Sequence, residues 1–342
     1  MTDSSAVLLD GPWRHLFVAA NGARFHVAEL GPSTGPNGSP SPAPLAATSG
    51  GPLDVSADEP AEPPGASAAK PLVVLLHGFP QMWWTWRHQL EALADAGYRV
   101  AALDLRGTGA SDKPPQGYDI PTLARDVAGV IRSLGAQEAV VIGQGVGGTI
   151  AWSMPTLQPA VTRAVGVLSA VHPSRMHTAA VAWPLLTRTS ARRLAFFQLP
   201  YFPERRMARG DLAVRVLHEW GAPGWLTPEA AQTYRTAAEV PFAAHSAMEI
   251  LRWLVRSTPR VDGQRYLSAV RAPVQVPVLH LHGTADRCIP VTVARAENGA
   301  PYRFERIPGA GHFLTEEAPE RISQLLVDWL ASLPSEVTGR RP

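Results

Sequence analysis

The chain has very little cysteine: Cys288 is the single one in 342 residues. That excludes an intramolecular disulfide, fits a reducing compartment, and leaves Cys288 to be read as a small buried hydrophobe. Net charge is also nearly absent, with 31 Lys and Arg against 29 Asp and Glu, a formal +2. Nucleic acids and anionic membranes draw on a basic field, so neither is an expected partner. No segment is continuously apolar over a bilayer span, and the opening MTDSSAVLLDGPW lacks the basic and apolar regions of a signal peptide. A cytoplasmic location is expected. What the chain has instead is 45% hydrophobic residues, enough to bury the core of one large domain with room for an inserted subdomain.

Five texture changes divide the sequence. Residues 1–30 contain Asn21-Gly22 between two β-rich runs, a hairpin signal. Residues 31–69 are a Gly, Pro, Ser and Ala mixture with few large apolar side chains, expected to be a disordered insertion. Residues 70–171 alternate apolar strands with amphipathic helices, the pattern of a parallel sheet covered on both faces. Strands are predicted at 72–76, 98–103, 138–143 and 163–170, and helices at 82–96 and 121–134. Residues 172–262 lose the rhythm and read as helical. Residues 263–333 resume it, with strands at 276–283 and 302–307 and a helix at 315–332, before a tail at 334–342.

The stretch VIGQGVGGTIAW, residues 141–152, runs from strand through glycines into a helix. Its Gly143, Gly145 and Gly148 satisfy a dinucleotide-binding GxGxxG turn. Such a turn needs an acidic residue about 20 positions further on, and no Asp or Glu occurs between Gly143 and Glu204. The other strand-turn-helix device is a nucleophile elbow, with Gly145 at the nucleophile position. In its favour, LLHGFP (75–80) follows the first buried strand, HGTADRCIP (282–290) puts Asp286 after a late strand, and GAGHFLTEE (309–317) puts His312 after the last one.

From Trp13 to Leu333, apart from the insertion, the chain resembles the α/β-hydrolase fold family, in particular its epoxide hydrolase and haloalkane dehalogenase-like branch. HGFPQMWWTWRHQL and DLRGTGASD are close to that branch's signatures. The resemblance implies an α/β-hydrolase fold: a mostly parallel twisted sheet flanked by helices, with an inserted helical cap at 172–262. It implies His312 as base, oriented by Asp286, and an oxyanion hole from the backbone N–H groups of Phe79 and Val146. It implies a pocket lined by Trp83, Tyr201 and Leu251. In this branch a GHDxGG elbow supplies an aspartate that attacks carbon, and cap tyrosines activate the epoxide oxygen. GQGVGG departs from that pattern, with glycine for the aspartate and Gln144 for the histidine. Tyr201 is near one expected tyrosine position, and Leu251 stands at the other. Pro155 is expected to break or kink the elbow helix.

Covalent catalysis through residue 145 is therefore excluded. The expected function is attack on a small apolar substrate by water activated through His312 and Asp286, with no metal and no cofactor. Two alternatives stand beside it: a lyase, isomerase or cyclase using the same dyad, and an inactive ligand- or partner-binding pseudoenzyme. Asp286 is otherwise a cap for a helix starting near Pro290. Thr149 and Ser153 are expected to lie too deep to replace the nucleophile. Asp104, Arg106 and Asp112 are read as a loop held by an Asp–Arg pair. His280 and His282 are read as pointing to opposite sides of the sheet, so that they form no adjacent metal pair. The tryptophans with Phe196, Phe197, Tyr201 and Trp253 fit a pocket wall or ordinary core packing.

Overall fold

A computed structural model describes residues 3–32, 70–176, 189–295 and 301–334. The expected insertion and tail lie almost wholly outside these residues, as does 177–188 of the helical segment. Asn21 and Gly22, at φ 44° and 74°, close the predicted hairpin of β1 (Arg14–Ala20) and β2 (Ala23–Leu30). Both turn residues sit at positive φ, as a tight hairpin requires. Then follow β3 (Leu72–Leu76), α1 (Arg87–Asp95), β4 (Val100–Leu103), α2 (Ile120–Ser133), β5 (Ala139–Gln144), α3 (Val146–Leu157) and β6 (Thr162–Leu168). The segment Trp83–Trp86, expected as the start of a helix, is a separate 3₁₀ turn. Asp119 starts α2, its Oδ1 accepting from the Thr122 N–H at 2.8 Å.

Among the described residues, helices only follow up to the next strand: α4 (Pro173–Met176), α5 (Thr189–Phe197), α6 (Phe202–Met207), α7 (Asp211–Trp220), α8 (Pro228–Glu239), α9 (Ala243–Arg256) and α10 (Val261–Ala269). The last spans the expected boundary at 262 and belongs with the sheet-bound helices: the Tyr266 hydroxyl meets Ser153 Oγ of α3 at 2.9 Å. The chain closes with β7 (Val278–Gly283), α11 (Val291–Ala294), β8 (Tyr302–Ile307), α12 (Leu314–Glu317) and α13 (Pro319–Ala331).

The strands form one sheet in the order β1-β2-β4-β3-β5-β6-β7-β8, antiparallel only where β2 meets β1 and β4. Side chains alternate across it. Val73 and Leu75 face a core with Leu90, Leu93 and Trp329, while Leu72, Val74 and Leu76 face Leu123, Val127 and Ile131 on the other side. Among the described residues no helix is long and apolar enough to cross a membrane.

This topology decides where a site can lie. The chain steps from β3 outward to β4, then returns past β3 to β5, so the crossovers diverge between β3 and β5. In open α/β sheets ligands bind outside the carboxyl ends of the strands at such a switch point. The loop after β3 carries Phe79, and the turn after β5 carries Gly145.

Three expectations need correcting. Pro155 does not break α3, because it falls in the last turn; the helix ends two residues later at Leu157. His280 and His282 lie on the same face of β7, as any two strand residues two apart must, with ring centroids 6.0 Å apart. Arg106 pairs with neither Asp104 nor Asp112. It grips Asp126 of α2 with two bonds of 2.7 Å, while Asp104 takes His26 Nδ1 at 2.8 Å and the N–H groups of Trp83 and Ala110.

Candidate active site

Gly145 is held at φ 54°, ψ −114°, with its N–H donating to the Leu168 carbonyl at 2.9 Å. That left-handed backbone region favours glycine. A second glycine closes the turn: a Cβ on Gly147 would come within 2.3 Å of the Leu76 carbonyl oxygen. The other two glycines that match a dinucleotide motif are held as tightly: a Cβ on Gly143 would come within 2.1 Å of the Gly147 carbonyl oxygen, and one on Gly148 within 2.7 Å of the Ala170 Cβ, so the tightness of the elbow explains all three.

A Cβ on Gly145 would lie 3.4 Å from His312 Nε2, so the elbow is aimed at the imidazole. His312 Nδ1 meets Asp286 Oδ2 at 3.0 Å, and both residues are about 96% buried, being 4% exposed. Adjacent strands β7 and β8 bring them together from 26 residues apart. The other carboxylate oxygen, Oδ1, accepts the N–H groups of Cys288 and Ile289 at 2.7 Å each. This locks the carboxylate in plane, and α11 has no side-chain cap from it. His282 Nε2 approaches Oδ2 at 3.2 Å from the third side. Burial pushes the Asp286 carboxyl up, but the charge of His312 and the hydrogen bonds from His282 and His312 outweigh it and hold Asp286 well below the usual carboxylate range. An ionised Asp286 fixes the proton of His312 on Nδ1 and leaves Nε2 facing Gly145 as acceptor.

Phe79 and Val146 both line the cavity over the elbow, Val146 as the first residue of α3, where helical N–H groups have no intrahelical acceptor. Among the described residues neither N–H has a protein acceptor. The positive end of the α3 dipole adds to them.

Behind the elbow, the loop after β3 and the His312 turn are tied together. Gln144 Nε2 donates to Gln81 Oε1 at 2.8 Å, and Gln144 Oε1 accepts the Thr315 N–H at 3.2 Å. Gln81 goes on to Thr85 Oγ1 at 2.7 Å, which meets Thr315 Oγ1 at 2.7 Å. Glu316 closes the network against Arg87 and Tyr234, its carboxyl raised by burial.

A cavity of about 500 Å³ opens over Gly145 and His312. Its walls are apolar, with Leu194, Trp220, Leu251, Leu254 and Ile289 foremost. Leu251 was expected there, but Trp83 and Tyr201 are not. Trp83 is fully buried against Trp13, His15 and His26, its indole N–H on the Val7 carbonyl at 2.9 Å. Tyr201 is 63% exposed, its backbone at φ 67° carrying it away from the core. Phe196, Phe197 and Trp253 also stay out of the wall, and Trp220 enters it, edge-on to His312 with ring centroids 5.6 Å apart. Thr149 lines the cavity, but its hydroxyl is turned back onto the Gly145 carbonyl at 3.3 Å. Cys288 also reaches the wall. No pattern in the sequence marks Trp220 or Thr149, because both reach the cavity through how helices pack.

The protein-family model described as alpha/beta hydrolase fold matches residues 71–319. The chain belongs to this family. The AB hydrolase superfamily protein YfhM of Bacillus subtilis is 31% identical over 266 residues, covering 76% of this chain and 90% of its own. Epoxide hydrolase A of Mycobacterium tuberculosis is 31% identical over 312 residues, covering 79% of this chain and 92% of its own. The crystal structure of epoxide hydrolase A from Mycobacterium thermoresistibile superposes with a TM-score of 0.69 at 26% identity, over 94% of this chain and 99% of that one. Within the α/β-hydrolases the chain is thus similar to the epoxide hydrolase-like branch.

Proposed function

We propose that this α/β-hydrolase cleaves a small apolar substrate with a water molecule activated by His312 and Asp286, the helices between β6 and β7 serving as its cap. The observation that carries the reading is the 3.4 Å between His312 Nε2 and the place where a residue-145 side chain would begin. Glycine leaves that place open to solvent-sized molecules, directly in front of a buried imidazole whose tautomer is set by Asp286. A base takes a proton from a group about 2.6–3.2 Å away, and a water seated a few tenths of an ångström nearer the imidazole than that place meets the condition. In this reading the Phe79 and Val146 N–H groups receive the negative charge that attack creates. The apolar cavity above them supports binding of an uncharged ligand.

The test is turnover of a panel of epoxides and activated esters by wild type, His312→Ala and Gly145→Asp. Wild-type hydrolysis that falls by about 10²–10⁴ in His312→Ala supports the reading. Activity gained only in Gly145→Asp would show a competent scaffold whose own task is not hydrolysis. Silence from wild type and Gly145→Asp alike would favour a ligand-binding protein that has lost its chemistry.

A further inference from the structure

Resting on the water-activation reading, we infer that the substrate is a carbonyl electrophile, an ester or lactone with an apolar acyl part, and that epoxides are not turned over. The deciding observation is the placement of the proton donors. Opening an epoxide by displacement at carbon expels the ring oxygen on the side opposite the attacking water. That oxygen needs a proton from an acid across the cavity from the base. The chain has six tyrosines, and each is committed elsewhere. Tyr98 packs in the core under Lys70, and Tyr201 is out in solvent. The hydroxyl of Tyr118 is on Ser246, that of Tyr234 on Glu316, that of Tyr266 on Ser153 and that of Tyr302 on His280.

Among the described residues, the side chains on the cavity wall that carry a proton on oxygen, nitrogen or sulfur are Thr149, Gln198, Trp220, Cys288 and His312. A threonine hydroxyl, a carboxamide or an indole N–H is no stronger an acid than the alcohol it would have to make. Cys288 belongs to the loop that clasps Asp286 Oδ1, so it stands on the wall that carries the base and not across from it. The Phe79 and Val146 N–H groups donate hydrogen bonds but give up no proton.

Attack on a carbonyl removes this requirement. The water oxygen bonds to the acyl carbon, its proton goes to His312 Nε2, and the carbonyl π pair moves onto the oxygen held by Phe79 and Val146. Collapse re-forms the carbonyl and breaks the bond to the leaving alkoxide, which takes the proton back from His312. Attacking and leaving oxygens sit on one tetrahedral carbon, within reach of a single imidazole, so one histidine serves as base and then acid. The balance is ester plus water giving acid plus alcohol, with no co-reactant.

The test compares phenyl acetate and styrene oxide, matched in size, on the full chain at equal concentration, with His312→Ala and Tyr201→Phe alongside. The expected result is kcat/KM at least about 100-fold higher for the ester, lost in His312→Ala and kept in Tyr201→Phe. One turnover in heavy-oxygen water should label the acetate and leave the protein unlabelled. Styrene oxide turned over as fast as the ester, or a protein that takes up label, overturns the inference while a His312-dependent hydrolase still stands. If wild type acts on neither compound, the water-activation reading itself falls. Wild type alone decides the comparison, so a misfolded variant leaves it intact.

Discussion

Gly145→Ala separates the two physical roles given to this residue, because a methyl group adds nothing reactive. The backbone at φ 54°, ψ −114° penalises any Cβ. Sparsely populated conformations cost about 1–3 kcal/mol each, whereas glycine-to-alanine at a compatible position gains about 0.4–1 kcal/mol. The two cases differ in sign. Chemical denaturation should therefore show a lower midpoint with unchanged slope. The steric part is modest, since the new carbon meets His312 Nε2 at 3.4 Å and Gly78 Cα at 3.6 Å. The functional part is large. That carbon occupies the place where water must sit to give its proton to His312, and displacement by about 1 Å costs about 10²-fold in rate. Ester turnover by the variant should fall by about that factor or more, at a temperature where it is fully folded. A variant more stable than wild type would refute the strained elbow, and one with undiminished turnover would refute the water position.

Asp286→Asn should keep the fold but lower kcat by about 10⁴, because an amide that donates to His312 Nδ1 selects the wrong tautomer; steady-state kinetics with the same ester checks this. His172 is held at about 4 by burial, with nearby Arg175 acting in the same direction. The unfolded chain therefore binds its proton first, and stability falls as pH drops from about 6.5 to 4, by about 3 kcal/mol in all. His172→Asn should flatten that part of the stability curve in pH-dependent denaturation. Arg106→Ala strands the buried Asp126 carboxylate and should cost about 3–5 kcal/mol, read as a lower urea midpoint; a cost under 1 kcal/mol would contradict the buried pair.

Much of the fold is legible where local pattern and tertiary outcome agree. The runs LVVLL and YRFERI are strands over their predicted residues, 72–76 and 302–307, because turn residues flank each apolar or alternating run. Asp286 and His312 are found from their places after β7 and β8, and the elbow from its glycines. The pocket wall is another matter. Trp83 carries the same apolar surface whether it faces substrate or core, and the 3₁₀ turn that swings it inward leaves no periodic trace. Tyr201 is turned outward by a positive φ that nothing in FFQLPYF announces. Trp220 and Thr149 reach the cavity only once the helices between β6 and β7 are laid over the sheet. The His280 and His282 reading failed for a different reason: strand periodicity puts such a pair on one face.

The amide bridge from Gln81 through Gln144 to the Thr315 backbone spans the three loops that make the site. Carboxamides neither gain nor lose protons in water at any pH a folded protein survives. The bridge itself is thus blind to acidity, while the network behind it ends on the Glu316 carboxyl, which is not. The bridge acts as a ruler that does not stretch as the solution is acidified, with its one acid-sensitive anchor set back from the reacting groups.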